Sequence, residues 1–120
     1  MPGGGLDCVR EVVLAAAAGE AAATDAVERV ALWMGTGLAS VVNVFNPQAV
    51  ILGGAFGEIY AAAAATVQSA VVAAALHPPR EELRLLQPAF GTDSSLVGAA
   101  ELAFTPLLAD PLLEMARLTA

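Results

Sequence analysis

The 120-residue sequence contains no lysine, one cysteine and one histidine. All its positive charge therefore lies on five arginines, Arg10, Arg29, Arg80, Arg84 and Arg117, set against twelve acidic residues for a net charge of −7. These arginines are scattered and make no basic stripe able to neutralise phosphates, so direct nucleic-acid contact by this segment is not expected. With only Cys8 and His77, neither a disulfide nor a Cys/His zinc site can be assembled within the chain, and no metal is expected. The opening Met1-Pro2-Gly3-Gly4-Gly5 has neither the basic start nor the apolar core of a signal peptide, and a single unpaired cysteine is compatible with a reducing compartment. A cytoplasmic location is expected. Charged residues make up only 14% of the chain, and no internal repeat is visible.

What the chain has in quantity is alanine and other apolar residues, 58% hydrophobic in all. Its length suits about one domain, enough for a modest core but not for separate binding and catalytic domains. The stretch around which the rest is organised is Val50-Ile51-Leu52-Gly53-Gly54. This β-branched run is bounded by Asn46-Pro47 on one side and paired glycines on the other. Such a run reads as a strand covered on both faces by helices. Glycines between a strand and a helix let the backbone approach a ligand closely, near the helix's first free N–H groups, so residues 53–58 are the first place to look for a small-molecule site. The same pair also serves as a tight strand-to-helix turn with no ligand.

Before the strand, residues 1–5 read as a disordered lead or cut end. Leu6 to Ala18 has helical spacing at Val9, Val12, Val13 and Ala16, with Gly19 as its stop. Thr24 and Asp25, with Glu28 completing a capping box, predict the start of a second, long helix. Val27, Val30, Met34, Leu38, Val41, Val42 and Phe45 give it a wide apolar stripe. Gly35 and Gly37 within it are expected to permit close approach of another backbone, since each costs about 1 kcal/mol relative to Ala. Asn46-Pro47 ends this helix.

After the strand, Glu58 to Leu76 reads as a helix whose face Ile59, Ala63, Val67, Ala70, Val71 and Ala74 lies against the sheet, with His77-Pro78-Pro79 at its end. Its length approaches a membrane span, but Thr66, Gln68 and Ser69 lie inside it and no aromatic or basic anchors flank it, so a packed globular helix is expected and no membrane contact. His77 suits the negative end of that helix. Leu83 to Phe90 reads as a second strand, with Pro88 near an edge or end, which makes a parallel βαβ unit. Gly91 to Ser95 is a turn, with Asp93 read as an N-cap in preference to a nucleotide contact. A last helix runs from Leu96 to Leu108, and Asp110-Pro111 breaks it before a helical tail over 110–120.

The ordered set Gly35-Thr36-Gly37-Leu38-Ala39, Asn43-Val44-Phe45-Asn46-Pro47, Val50-Ile51-Leu52-Gly53-Gly54 and Gly91 through Gly98-Ala99-Ala100 resembles the C-terminal end of ROK proteins. That family comprises NagC/XylR-type transcriptional repressors, uncharacterised relatives and sugar kinases. The resemblance spans about Leu6 to Leu108. It implies an α/β fold: the C-terminal part of an actin-like, ribonuclease H-like ATPase domain, α-rich with a short parallel βαβ unit, over residues 6–109. In the family's kinases the strand ending in Gly-Gly and the following helix border the adenosine pocket, which maps nucleotide binding to Gly53, Gly54 and Ala55. The family's phosphate-binding Asp-Gly-Gly turn, catalytic aspartate, sugar-contacting residues and zinc cluster belong to upstream segments, as does the repressors' helix-turn-helix. None is present in these 120 residues, and Cys8 lacks the glycine-spaced cysteines of the zinc motif, which leaves it a structural thiol.

The resemblance therefore implies a truncated sugar-sensing domain of a ROK transcriptional regulator, with no catalytic residues and no cofactor of its own. The segment Leu107 to Leu112 extends past the Gly98 helix as many of the family's repressors do. The alternatives are a C-terminal fragment of an ATP-dependent sugar kinase, in which case ATP would belong to the parent, and a non-catalytic self-associating module. A sugar or sugar phosphate would be the parent's effector. The apolar content predicts that the chain pairs with itself or with an upstream half.

Overall fold

The computed structural model describes residues 4–76 and 83–118. His77 and the two prolines expected to terminate the central helix lie outside the described residues. The chain divides into two compact units, residues 1–88 and 89–120.

In the first unit, α1 (Gly5–Ala17) ends where the Gly19 N–H bonds to Ala16 O and the Glu20 N–H to Ala15 O, the paired bonds of a Schellman turn, with Gly19 at φ +89. α2 (Ala21–Phe45) begins directly after it. This corrects the expected start at Thr24 and Asp25, because both lie inside the helix. Alanines at 21–23 favour helix on their own, and the Thr24 hydroxyl donates back to Glu20 O at 3.0 Å in place of capping. Glu28 is not the back half of a capping box either: it accepts from the Thr66 hydroxyl across the helix pair at 2.5 Å. At its far end α2 stops at Asn46, which sits in the left-handed region at φ 45 and donates its N–H to Val42 O. Pro47 then bars continuation.

β1 (Ala49–Ile51), α3 (Gly54–Ala74) and β2 (Arg84–Leu86) follow. The two strands are adjacent and parallel, with Val50 opposite Leu85 and Ile51 opposite Leu86. Two further bonds, Leu52 N–H to Leu86 O and Arg84 N–H to Gln48 O, extend the ladder at both ends. The expected βαβ order is therefore present, but the strand is not covered on both faces. Ile51 is 65% exposed, because among the described residues only two strands are paired and the side chains alternate across them.

The core lies between α2 and α3. Val27, Ala31 and Met34 of α2 meet Ile59, Ala63 and Val67 of α3, and Val9, Val13 and Ala16 of α1 close one side. The buried stripe of α2 is thus narrower than expected: Val30, Val41 and Phe45 are exposed. Gly35 faces Val67 and Ala70 at close range, as expected of it, whereas Gly37 faces open space. α3 is kinked at Ala63 (φ −138, ψ 43). Asn43 anchors its C-terminal end by donating to Ala74 O and accepting from the Leu76 N–H. The Tyr60 hydroxyl donates to Leu85 O, which fixes α3 beside the strands.

The second unit contains a 3-10 turn (Gly91–Asp93), α4 (Ser94–Ala109, with Pro106 inside it) and α5 (Pro111–Leu118), the last two bent by 96°. Asp93 precedes α4 but makes no side-chain cap bond, contrary to the N-cap reading. The 3-10 turn meets the need differently: the Asp93 N–H bonds to Phe90 O and the Ser94 hydroxyl to Gly91 O. Asp110 does act as a cap, its carboxylate accepting the Leu113 N–H with Pro111 in the first helical position. None of residues 89–117 is buried.

Candidate functional site

The strand-to-helix junction is built on three glycines. Gly53 is extended (φ −106, ψ 169) and Gly54 takes φ +58, so the chain reverses in two residues and enters α3 at once. Only at Gly54 does the turn demand glycine for its conformation. Gly53 has room for a side chain, the nearest atom being the Pro88 ring at 3.8 Å from where a Cβ would stand. Ala55 is half-buried, whereas Gly53 and Gly54 are exposed. The three residues expected to border a nucleotide thus form one continuous ledge at the start of α3.

Gly57 was not singled out by sequence reasoning, yet it fixes the geometry of this ledge. A Cβ there would stand 2.8 Å from Leu52 O, so the first turn of α3 can lie against the end of β1 only because position 57 is bare. The Gln87 side chain, just past β2, donates to Gly57 O at 2.9 Å and ties the second strand to the same turn. The available signal was a third glycine one helical turn after the pair, which is the spacing at which a helix presents the same face again.

The Gly54, Ala55 and Phe56 N–H groups open α3 and have no acceptor within the helix. No charged residue occurs from Val30 to Gly57, so nothing in the sequence of the junction offsets the partial positive charge of the helix end. The first acid on α3, Glu58, is engaged by Arg10 of α1, Nε to Oε1 at 2.9 Å. The ledge therefore offers backbone donors and the exposed Phe56 ring to a ligand, but, among the described residues, no free general base.

Two grooves border α1, and neither includes the ledge. One, of about 270 Å³, is lined by apolar side chains including Val12, Val30 and Ile59, with the exposed Cys8 at its edge. The other, of about 300 Å³, includes Thr24, Glu28 and Glu58. Among the described residues no three His, Cys, Asp or Glu side chains gather as a metal site.

Comparison with known proteins gives one family: the model of the ROK family matches residues 7–105. No curated protein and no solved structure matches the chain.

Proposed function

The chain belongs to the ROK family, and from that premise we propose that it is a non-catalytic part of the sugar-sensing domain of a ROK transcriptional regulator, working by contact with further protein. The observation that carries this reading is the chemistry of the Gly53–Ala55 ledge. It offers N–H donors and an aromatic ring but, among the described residues, no free acid or base, because Glu58 is already paired with Arg10. Phosphoryl transfer needs a base to take the sugar hydroxyl's proton and groups to hold the phosphates. A sensing domain needs neither.

The effector in such a regulator is a sugar or sugar phosphate held by the parent protein, in the cytoplasm and away from membranes. DNA contact would belong to a separate helix-turn-helix. This chain's own role is to pair, with a second copy or with an upstream half. The many large apolar side chains left in solvent support that role, among them Trp33, Val44, Leu102 and Leu112.

A second reading, a portion of an ATP-dependent sugar kinase, is favoured by the exposed pair Gly53 and Gly54, which stand where the family's kinases border their adenosine pocket. Two measurements separate the readings. A coupled assay with MgATP and a panel of hexoses should show no turnover by this chain, and turnover on any hexose would overturn the non-catalytic reading. Sequencing the coding region upstream should reveal a helix-turn-helix. A phosphate-binding loop without one would favour the kinase.

A further inference from the structure

α3 bends at a place where its sequence gives no reason to bend. Residues 61–65 are alanines, the residue most at home in a helix. Yet Ala63, in the middle of that run, stands at φ −138, ψ 43, far from the helical values of about −63 and −42. Kinks commonly arise at proline or at glycine and serine pairs, and Tyr60 to Thr66 contains none of these. The cause lies instead in what each half of the helix is fastened to.

The N-terminal half carries Gly54 and Ala55 of the ledge and is tied to the strands. Gly57 lies against Leu52 O, the Gln87 side chain donates to Gly57 O at 2.9 Å, and the Tyr60 hydroxyl donates to Leu85 O at 3.4 Å. Arg10 holds the same half to α1 through Glu58. The C-terminal half is tied to α2: Val67 and Ala70 close on Gly35, the Thr66 hydroxyl donates to Glu28, and Asn43 binds Ala74 O and the Leu76 N–H. A side-chain bond also crosses the bend, Gln68 Nε2 donating to the Tyr60 hydroxyl at 2.9 Å. In a straight helix these two residues would stand about 12 Å apart along the axis. That is near the limit of what the two side chains can span, so the bond depends on the angle of the bend.

We propose that Ala63 is a hinge. The first half of α3 turns together with the ledge and the strands against the second half, which stays with α2, and the Gln68–Tyr60 bond is the latch that sets the angle. Hinges are a few positions that absorb a large change in φ and ψ. Ala63 is buried in the core between α2 and α3, and its single methyl group lets the halves turn with little volume to displace. The inference concerns motion within α3 and holds for a regulator or a kinase parent alike, so its failure would leave the preceding reading untouched.

Two measurements on the full chain test it. In a Cys8→Ser background, spin labels on Ala55→Cys and Ala73→Cys, which lie on one side of a straight helix about 27 Å apart, should give a broad or two-peaked distance distribution with weight below that value. Gln68→Ala should change the balance within that distribution. A single narrow peak, at the straight or at a bent distance, would overturn the hinge. Hydrogen exchange provides the second test. The amides of residues 64–67, which in a continuous helix would bond across Ala63, should exchange at least about tenfold faster than those of 69–72. Gln68→Ala, an exposed position, should speed them several-fold further while leaving 69–72 unchanged. Equal protection along α3 would overturn the hinge, and an equal rise along α3 on removing Gln68 would overturn the latch.

Discussion

Gly35 lies directly against Val67: a Cβ on residue 35 would stand 2.5 Å from the Val67 carbonyl oxygen and 2.5 Å from the Ala70 Cβ. The helix pair that forms the core therefore closes around a bare backbone position. Because the obstacle is partly backbone, it cannot rotate away. Gly35→Ala should destabilise the chain by about 1–3 kcal/mol, the strain of overpacking exceeding the gain in helix propensity. The control is Gly37→Ala, on the open side of the same helix, which should stabilise the dilute monomer by about 1 kcal/mol. Urea unfolding of the two variants should move in opposite directions, and parallel shifts would contradict the packing described.

At the strand-to-helix junction the three glycines should respond differently. Gly53→Ala should be tolerated, since its backbone is extended and the nearest neighbour is a Pro88 ring carbon in ordinary contact. Gly54→Ala should cost about 1–2 kcal/mol, because φ +58 places a Cβ in the left-handed region. Gly57→Ala should cost about 1–3 kcal/mol, since its Cβ would press on Leu52 O and part α3 from β1. Thermal unfolding should rank the variants with Gly53→Ala nearest to the unaltered chain.

Val67 is fully buried, in a core made mostly of alanines and valines. Val67→Ala removes two methyl groups from a site with few large neighbours to fill the space. A loss of about 2 kcal/mol is expected in chemical denaturation. A change below half of that would mean that α2 and α3 close over the gap.

Much of the element order was legible because its punctuation is chemical. Gly19, Asn46-Pro47, Gly53-Gly54 and Asp110-Pro111 each end or begin an element where their backbone preferences require it, and the strands pair in parallel as the spacing between Ile51 and Leu85 implies. The misplaced start of α2 has a local cause: the Schellman turn at Gly19 delivers the chain straight into an alanine run that forms helix without a polar cap. Gly35 and Gly37 look alike in sequence, and only the position of α3 separates them. Ile51 reads as buried because a β-branched run ending in glycines resembles a central strand, while its actual exposure depends on how many strands are paired. At the junction, the strand-to-helix turn at Gly53 and Gly54 was legible from its pattern, whereas Ala55 entered through the resemblance alone. Gly57, Gln87 and the Arg10–Glu58 pair were not legible, because each acts through a contact between segments distant in the chain or across the turn.

The central claim, that this ROK-family chain works by pairing through apolar surface rather than by chemistry of its own, is tested most directly by sedimentation equilibrium of the unaltered chain over a wide concentration range. The account predicts a mass that rises from 12.1 kDa toward twice that value as concentration increases. Raised salt should not reverse the rise, because apolar burial drives it and screening relieves the repulsion between copies of net charge −7. A single species of 12.1 kDa throughout the range, unfolding cooperatively, would contradict it.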